Sequence, residues 1–242
     1  MDIQTSDIKN ILKEIEVIDI VRHPNIIQTM AVYIDNKNIK IIMELFQSYN
    51  LHQLIFEEET KEEFLLNDFK KDLISSQLCK AVTYLQSQNI IHRDLKPRNI
   101  LVNDEGNLKL CDFGLSKICK DSNLLNTTVA VAKGTPLYMA PEILNLDLDK
   151  KEAKESDVWT EYCDVWSVGC ILFELFAETP VWNNMSSKQF IDFLNQKEPL
   201  PDMDKILNLE IKHEITKWFS KVPTNRPKMQ ELLIFFNRNS ED

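Results

Sequence analysis

Apolar residues recur along the chain with two different periods, and the changes of period divide it into elements. Residues 7 to 22, "DIKNILKEIEVIDIVR", set Ile8, Ile11, Leu12, Ile15, Ile18 and Val21 three and four apart, the spacing of one face of a helix. The "HPN" immediately after stops this helix, because the residue before a proline is pushed out of the helical region. "MAVYID" and "IKIIMELF" flank the turn-like "NKN" and predict an antiparallel strand pair. From 68 to 88 the helical period returns in Phe69, Leu73, Leu78, Val82 and Leu85. "NILV" and "LKLC" around "NDEG" predict a second hairpin, with Asp104 to Gly106 making its turn. Residues 112 to 142 carry few regular signals and read as a long loop, a length that is often functional inside a compact domain. Helical patterns resume at 162 to 177, 186 to 195, 205 to 219 and 227 to 237.

Composition narrows what such a chain can be. A length of 242 residues with 43% hydrophobic side chains supports a sizeable core, in one large domain or in two lobes sharing a cleft. Lys and Arg total 28 against 38 Asp and Glu, so the formal charge of -10 argues against a general role on nucleic acid or anionic membrane. "MDIQTSDIKN" has no apolar core of a secretory signal, and the expected location is intracellular, in the cytoplasm. The five cysteines include no CxxC pair and are expected as free thiols. "VWSVGCILF" at 165 to 173 is about half as long as a membrane span and reads as part of a buried core helix. The acidic runs "EEETKEE" at 57 to 63 and "LDLDKKEAKESD" at 146 to 157 are expected as solvated surface insertions.

One segment does not fit a packing role alone. "IIHRDLKPRNILV", residues 90 to 102, places His92, Arg93, Asp94, Lys96 and Asn99 between apolar triplets. Singly, Asp94 is explained as a turn residue, Arg93 as a surface cation and Asn99 as a helix cap. Jointly, matching five such residue types at fixed offsets is expected by chance about 10⁻⁴ times in a chain of this size.

The segment from His92 to Asn99 resembles the H-R-D-L-x-x-x-N catalytic loop of eukaryotic-type serine/threonine protein kinases. "DFG" at 112 to 114, "APE" at 140 to 142, "CDVWSVG" at 163 to 169 and "NRP" at 225 to 227 come after it in the family's order, and "EIEVIDIVRHPNI" is similar to its regulatory helix. The resemblance implies an α+β, bilobal protein-kinase-like fold: a partial small lobe over residues 1–46, reduced to the regulatory helix, a strand pair and the hinge, and a mainly helical large lobe over 47–242. It implies ATP and Mg²⁺ as cofactors and a protein bearing Ser or Thr as substrate, with no nucleic acid and no membrane span.

The same resemblance assigns roles. Asp94 orients or accepts the hydroxyl proton, Lys96 reaches the transferring phosphate, and Thr135 contacts both. Asn99 and Asp112 offer the hard oxygens that Mg²⁺ prefers. Met43, Glu44, Phe46 and Leu101 line the adenine pocket, Met43 behind it, Glu44 and Phe46 through hinge backbone, Leu101 as its floor. Glu14 takes the ion-pairing position of the regulatory helix, and Arg93 awaits a phosphate on Thr127 or Thr128. His92, Phe113, Gly114, Asp164 and the pair Glu142 and Arg226 are structural parts. Lys96 and "GTPLYMAPE" are similar to the serine/threonine branch.

One part of the pattern is lacking. Members of this family carry a Gly-rich phosphate cover and a strand lysine ahead of the regulatory helix. Here no glycine precedes Gly106, and Lys9 and Lys13 share the helix of Glu14. Impaired transfer by the isolated chain is therefore expected. Three explanations stay open: a fragment of an active enzyme missing its N-terminal segment, an enzyme completed by an activating partner, and a pseudokinase acting as a binding or scaffold module. Retention of Asp94, Lys96, Asn99 and Asp112 favours descent from an active enzyme.

Overall fold

Thr29–Ile34 (β1) and Ile39–Met43 (β2) pair antiparallel, with Val32 opposite Ile41 and an irregularity between Thr29 and Ala31. The computed structural model of the chain describes residues 20–34, 39–112, 117–118, 136–144, 159–183, 185–196 and 199–238. Most of the helix expected at 7 to 22 lies outside these. β1 and β2 are the described sheet of a small lobe, and the elements after them build a larger, mainly helical lobe.

The small lobe is anchored by residues 25 to 27. Leu110 N–H donates to Asn25 O and Ile27 N–H to Leu110 O, each at 2.9 Å. The Asn25 amide donates to Gln77 Oε1 at 2.7 Å and to Leu108 O at 3.0 Å. Both protons of the Asn25 amide are thereby satisfied in a buried position, which a solvated loop would not require.

The large lobe opens with Tyr49–Asn50 (β3), then Leu51–Phe56 (α1) and Glu58–Glu63 (α2). Asn50 accepts from Gln53 N–H at 3.1 Å while Gln53 Oε1 accepts from Asn50 N–H at 3.0 Å, a reciprocal cap that starts α1. The acidic run at 57 to 63 lies on the surface as expected but is helical: all of it after Glu57 is α2, with Thr60 buried and the glutamates exposed. Asp68–Ser87 (α3) matches the predicted helix, but Phe69 is 67% exposed and the buried apolar positions begin further along, with Ile74, Leu78, Cys79, Ala81, Val82 and Leu85.

Ile90–Ile91 (β4) leads into the charged segment, and Ile100–Val102 (β5) and Leu108–Leu110 (β6) form the predicted hairpin, β5 also pairing with β3. Gly106 takes φ +87° at its turn, a conformation that strains a residue with a side chain, while a Cβ there would make only ordinary contact with Leu73 and Lys70 of α3. Within the span read as loop, Lys117–Ile118 (β7) pairs with β4. Pro141–Leu144 (α4), Glu161–Ala177 (α5), Ser187–Gln196 (α6), Leu209–Thr216 (α7) and Met229–Arg238 (α8) complete the lobe. α5 is its axis: thirteen of its residues are buried, and Gly169 lets Trp218 approach to where a Cβ would stand 3.0 Å away. Among the described residues no helix is long and apolar enough to cross a membrane, and Cys79, Cys111, Cys163 and Cys170 are free thiols.

Candidate active site

The charged segment between β4 and β5 is shaped from below by α5. Asp164, in the first turn of that helix and 1% exposed, accepts the N–H of His92 at 2.8 Å and of Arg93 at 3.1 Å. Burial pushes the Asp164 carboxyl up from its ordinary range, opposed by His92 and by the two backbone bonds. Arg93 takes φ +71°, a left-handed conformation that costs a non-glycine residue free energy and persists only where the surroundings impose it.

His92 braces the loop from within. Burial, which disfavours the imidazolium, lowers its pKa, so the ring is neutral. Nδ1 then accepts Asp94 N–H at 3.4 Å, and Nε2 donates to Cys111 O at 3.3 Å. Asp94, Lys96 and Asn99 meet above it. Asp94 Oδ2 takes Lys96 Nζ at 2.6 Å and Asn99 Nδ2 at 3.1 Å, and Asn99 Nδ2 also donates to Asp94 O at 2.8 Å.

Asp112 is tied to the same cluster through the backbone. Cys111 N–H donates to Asn99 O at 3.0 Å, which sets the residue before Asp112 against the residue that closes the loop. Asp112 itself takes φ +64°. The Cys111 thiol donates to the same Asn99 carbonyl at 3.4 Å, and burial pushes its pKa up to about 11, so it is a poor nucleophile.

Residues 43–46, expected as the hinge, are tied to the large lobe by charge. Glu44 N–H donates to Gln28 O at 2.9 Å, and its carboxylate takes Gln28 N–H at 2.7 Å and Lys109 Nζ at 2.8 Å. Lys109 stands opposite Leu101 in the β5/β6 ladder and lies 5.6 Å from the ring centre of Phe46. Leu101 and Phe46 are half-buried, and Met43 is 53% exposed, so none of the three is simple core.

Farther out, Arg226 forks onto Glu142 with both contacts at 2.7 Å and donates to Ser220 O and Tyr162 O at 2.9 Å. The segment Pro136–Tyr138 is held to α5 by Ser167, which donates to Tyr138 O at 2.8 Å, and by Glu174, which accepts the Tyr138 hydroxyl at 2.9 Å, while Trp182, beyond that helix, donates its indole N–H to Leu137 O at 2.7 Å. Sequence reasoning missed Ser167, Glu174 and Trp182. Only their distance from 136 to 138 along the chain hid them. Glu14, Phe113, Gly114, Thr127, Thr128 and Thr135 lie outside the described residues.

A sequence model of the family described as "Protein kinase domain" matches residues 2–234. The chain belongs to this family. Among curated relatives it is 34% identical over 80% of its length to "Serine/threonine-protein kinase 36" of Pongo abelii. It is 31% identical over 91% to "Mitogen-activated protein kinase kinase kinase 1" of Arabidopsis thaliana, and 31% identical over 83% to "Mitogen-activated protein kinase 10" of Oryza sativa subsp. japonica. The chain spans 13%, 33% and 31% of the respective lengths of these relatives.

Proposed function

We propose that this kinase domain transfers the terminal phosphoryl group of ATP to serine or threonine hydroxyls of protein substrates. The observation that carries it is the shared carboxylate: Asp94 Oδ2 receives both Lys96 Nζ and Asn99 Nδ2, on a loop clamped by Asp164. Such a carboxylate is fixed in place before substrate arrives, as positioned proton acceptors must be.

Asp94 takes the hydroxyl proton as the oxygen attacks the terminal phosphorus and the bond to the bridging oxygen breaks, releasing ADP. Lys96 offers a cation to the charge spread over the transferring group. Asn99 and Asp112 fit a hard cation that keeps several waters and phosphate oxygens, because Asn99 spends its Nδ2 on Asp94 and so has its amide oxygen to give. Bound there, Mg²⁺ would neutralise phosphate charge. At the hinge, Glu44 has already used its N–H on Gln28, so its carbonyl and the Phe46 backbone are the groups for adenine, above Leu101 and in front of Met43. The roles of Glu14, Phe113, Gly114, Thr127, Thr128 and Thr135 rest on the motifs alone.

Asp94→Asn tests this. Transfer of labelled phosphate from Mg-ATP to a generic basic protein is expected to fall by about 10² to 10⁴ while the fold is kept. Equal transfer, above background, by the variant and the unaltered chain sinks the enzymatic reading, and a cellular role that survives the substitution supports a binding module instead. Residues 1–105 contain no glycine, so turnover by these 242 residues alone is expected to be low. A Gly-rich, lysine-bearing segment supplied in cis or by a partner is expected to raise it by about 10² or more.

A further inference from the structure

Arg93 is gripped at two levels by one end of α5. Its backbone, at φ +71°, gives its N–H to Asp164 at 3.1 Å. Its guanidinium carbon lies 4.6 Å from the ring centre of Trp159, a residue 5% exposed that stands just ahead of the helix N-cap Thr160. Asp94 is the next residue along, so whatever fixes Arg93 also fixes the peptide that presents the carboxylate.

The choice of indole needs a reason. A buried tryptophan ordinarily finds an acceptor for its N–H, because a stranded donor costs free energy. Trp159 Nε1 has no hydrogen-bond partner among the described residues, a condition shared with Trp166, whose ring also faces an arginine, and with Trp218, so the cation on the Trp159 face is what sets its position apart from simple packing. A phenyl or an isobutyl group would fill space there without stranding a donor. What indole adds over either is the most electron-rich face available to a cation. Trp159 is thus suited to the position by its face, and that face is occupied by Arg93.

We propose that Trp159 is a positioning residue, whose indole face fixes the Arg93 guanidinium and thereby the backbone that presents Asp94. This rests on the phosphotransfer reading for its catalytic consequence, though not for its structural one. The main alternative is that Trp159 only fills the core.

Site-specific replacement of Trp159 by progressively fluorinated tryptophans separates the two, since fluorine drains charge from the ring face with little change of size. Along the series kcat is expected to fall, by about fivefold to thirtyfold at the most fluorinated ring, with KM for ATP little changed. Amide exchange at residues 92 to 94 should quicken in the same order. Trp159→Phe should lie between Trp and Trp159→Leu; if the leucine variant does not fold, the fluorine series decides alone. In an Arg93→Gln background the series should be flat. A flat series with Arg93 intact, or an equally steep one without it, overturns the proposal. Absence of turnover even with a Gly-rich, lysine-bearing segment supplied would overturn the phosphotransfer reading instead, and the exchange series would still judge Trp159.

Discussion

Glu174 is 2% exposed within α5 and is approached by the Tyr138 hydroxyl, 3.1 Å from Oε1 and 2.9 Å from Oε2, and by Val181 N–H at 3.1 Å. Burial pushes its carboxyl up to about 7 from an ordinary 4.5, against the pull of those donors. Between these values the folded chain holds a proton that the unfolded chain has released. Stability from this group is therefore full below 4.5 and lost as pH rises through about 7, on the order of 3 kcal/mol in all. Glu174→Gln keeps the shape and removes the titration. Urea unfolding at pH 5 and pH 8 should show the unaltered chain losing stability relative to Glu174→Gln by about that amount; parallel behaviour would mean that Glu174 ionises freely.

Arg226 joins elements that lie far apart in the chain: α4 through Glu142, α5 through Tyr162 O, and the turn after α7 through Ser220 O. Its side chain is 0% exposed and its guanidinium lies 5.1 Å from the ring centre of Trp166. Removing one partner of such a pair strands the other charge, so Arg226→Met is expected to lower unfolding free energy by about 3 to 5 kcal/mol, and Arg226→Met with Glu142→Leu by clearly less. Denaturant titration of both variants checks this; equal losses would assign the cost to packing rather than charge. Elements like α5 and the hairpin of β5 and β6 were legible in the sequence because period and turn chemistry are local. α1 was missed although Asn50 and Gln53 spell a capping box, and α2 because six mostly charged residues carry no period. Phe69 misled because α3 is enclosed on more than one side: Ser75, Ser76 and Gln77 are buried too, each hydrogen-bonded to backbone or to a distant element. Asp94, Lys96 and Asn99, which the fold brings together, were readable as a set. Trp159 under Arg93 and Trp182 under Leu137 were not, since nothing local to either tryptophan names its partner.

At the scale of the whole molecule, few contacts among the described residues relate the lobes, so each counts. β1 and β2 expose Met30, Tyr33, Ile41, Ile42 and Met43, and a two-stranded sheet has little stability of its own. Its placement is inherited from the large lobe, through Asn25 on one side and through Glu44 and Lys109 on the other. The Glu44 and Lys109 side chains are 28% and 19% exposed, so solvent weakens their attraction, and the pair is worth on the order of 1 kcal/mol. That is too little to alter melting of the helical lobe, but it acts where hinge and β6 meet. Lys109→Met is therefore expected to weaken binding of a fluorescent ATP analogue about fivefold while the melting temperature stays within a few degrees. The exchange Glu44→Lys with Lys109→Glu should recover part of the affinity, though Gln28 N–H would lose its acceptor and keep recovery incomplete. Unchanged nucleotide affinity in Lys109→Met would show that the Glu44–Lys109 pair does not set the alignment of the lobes.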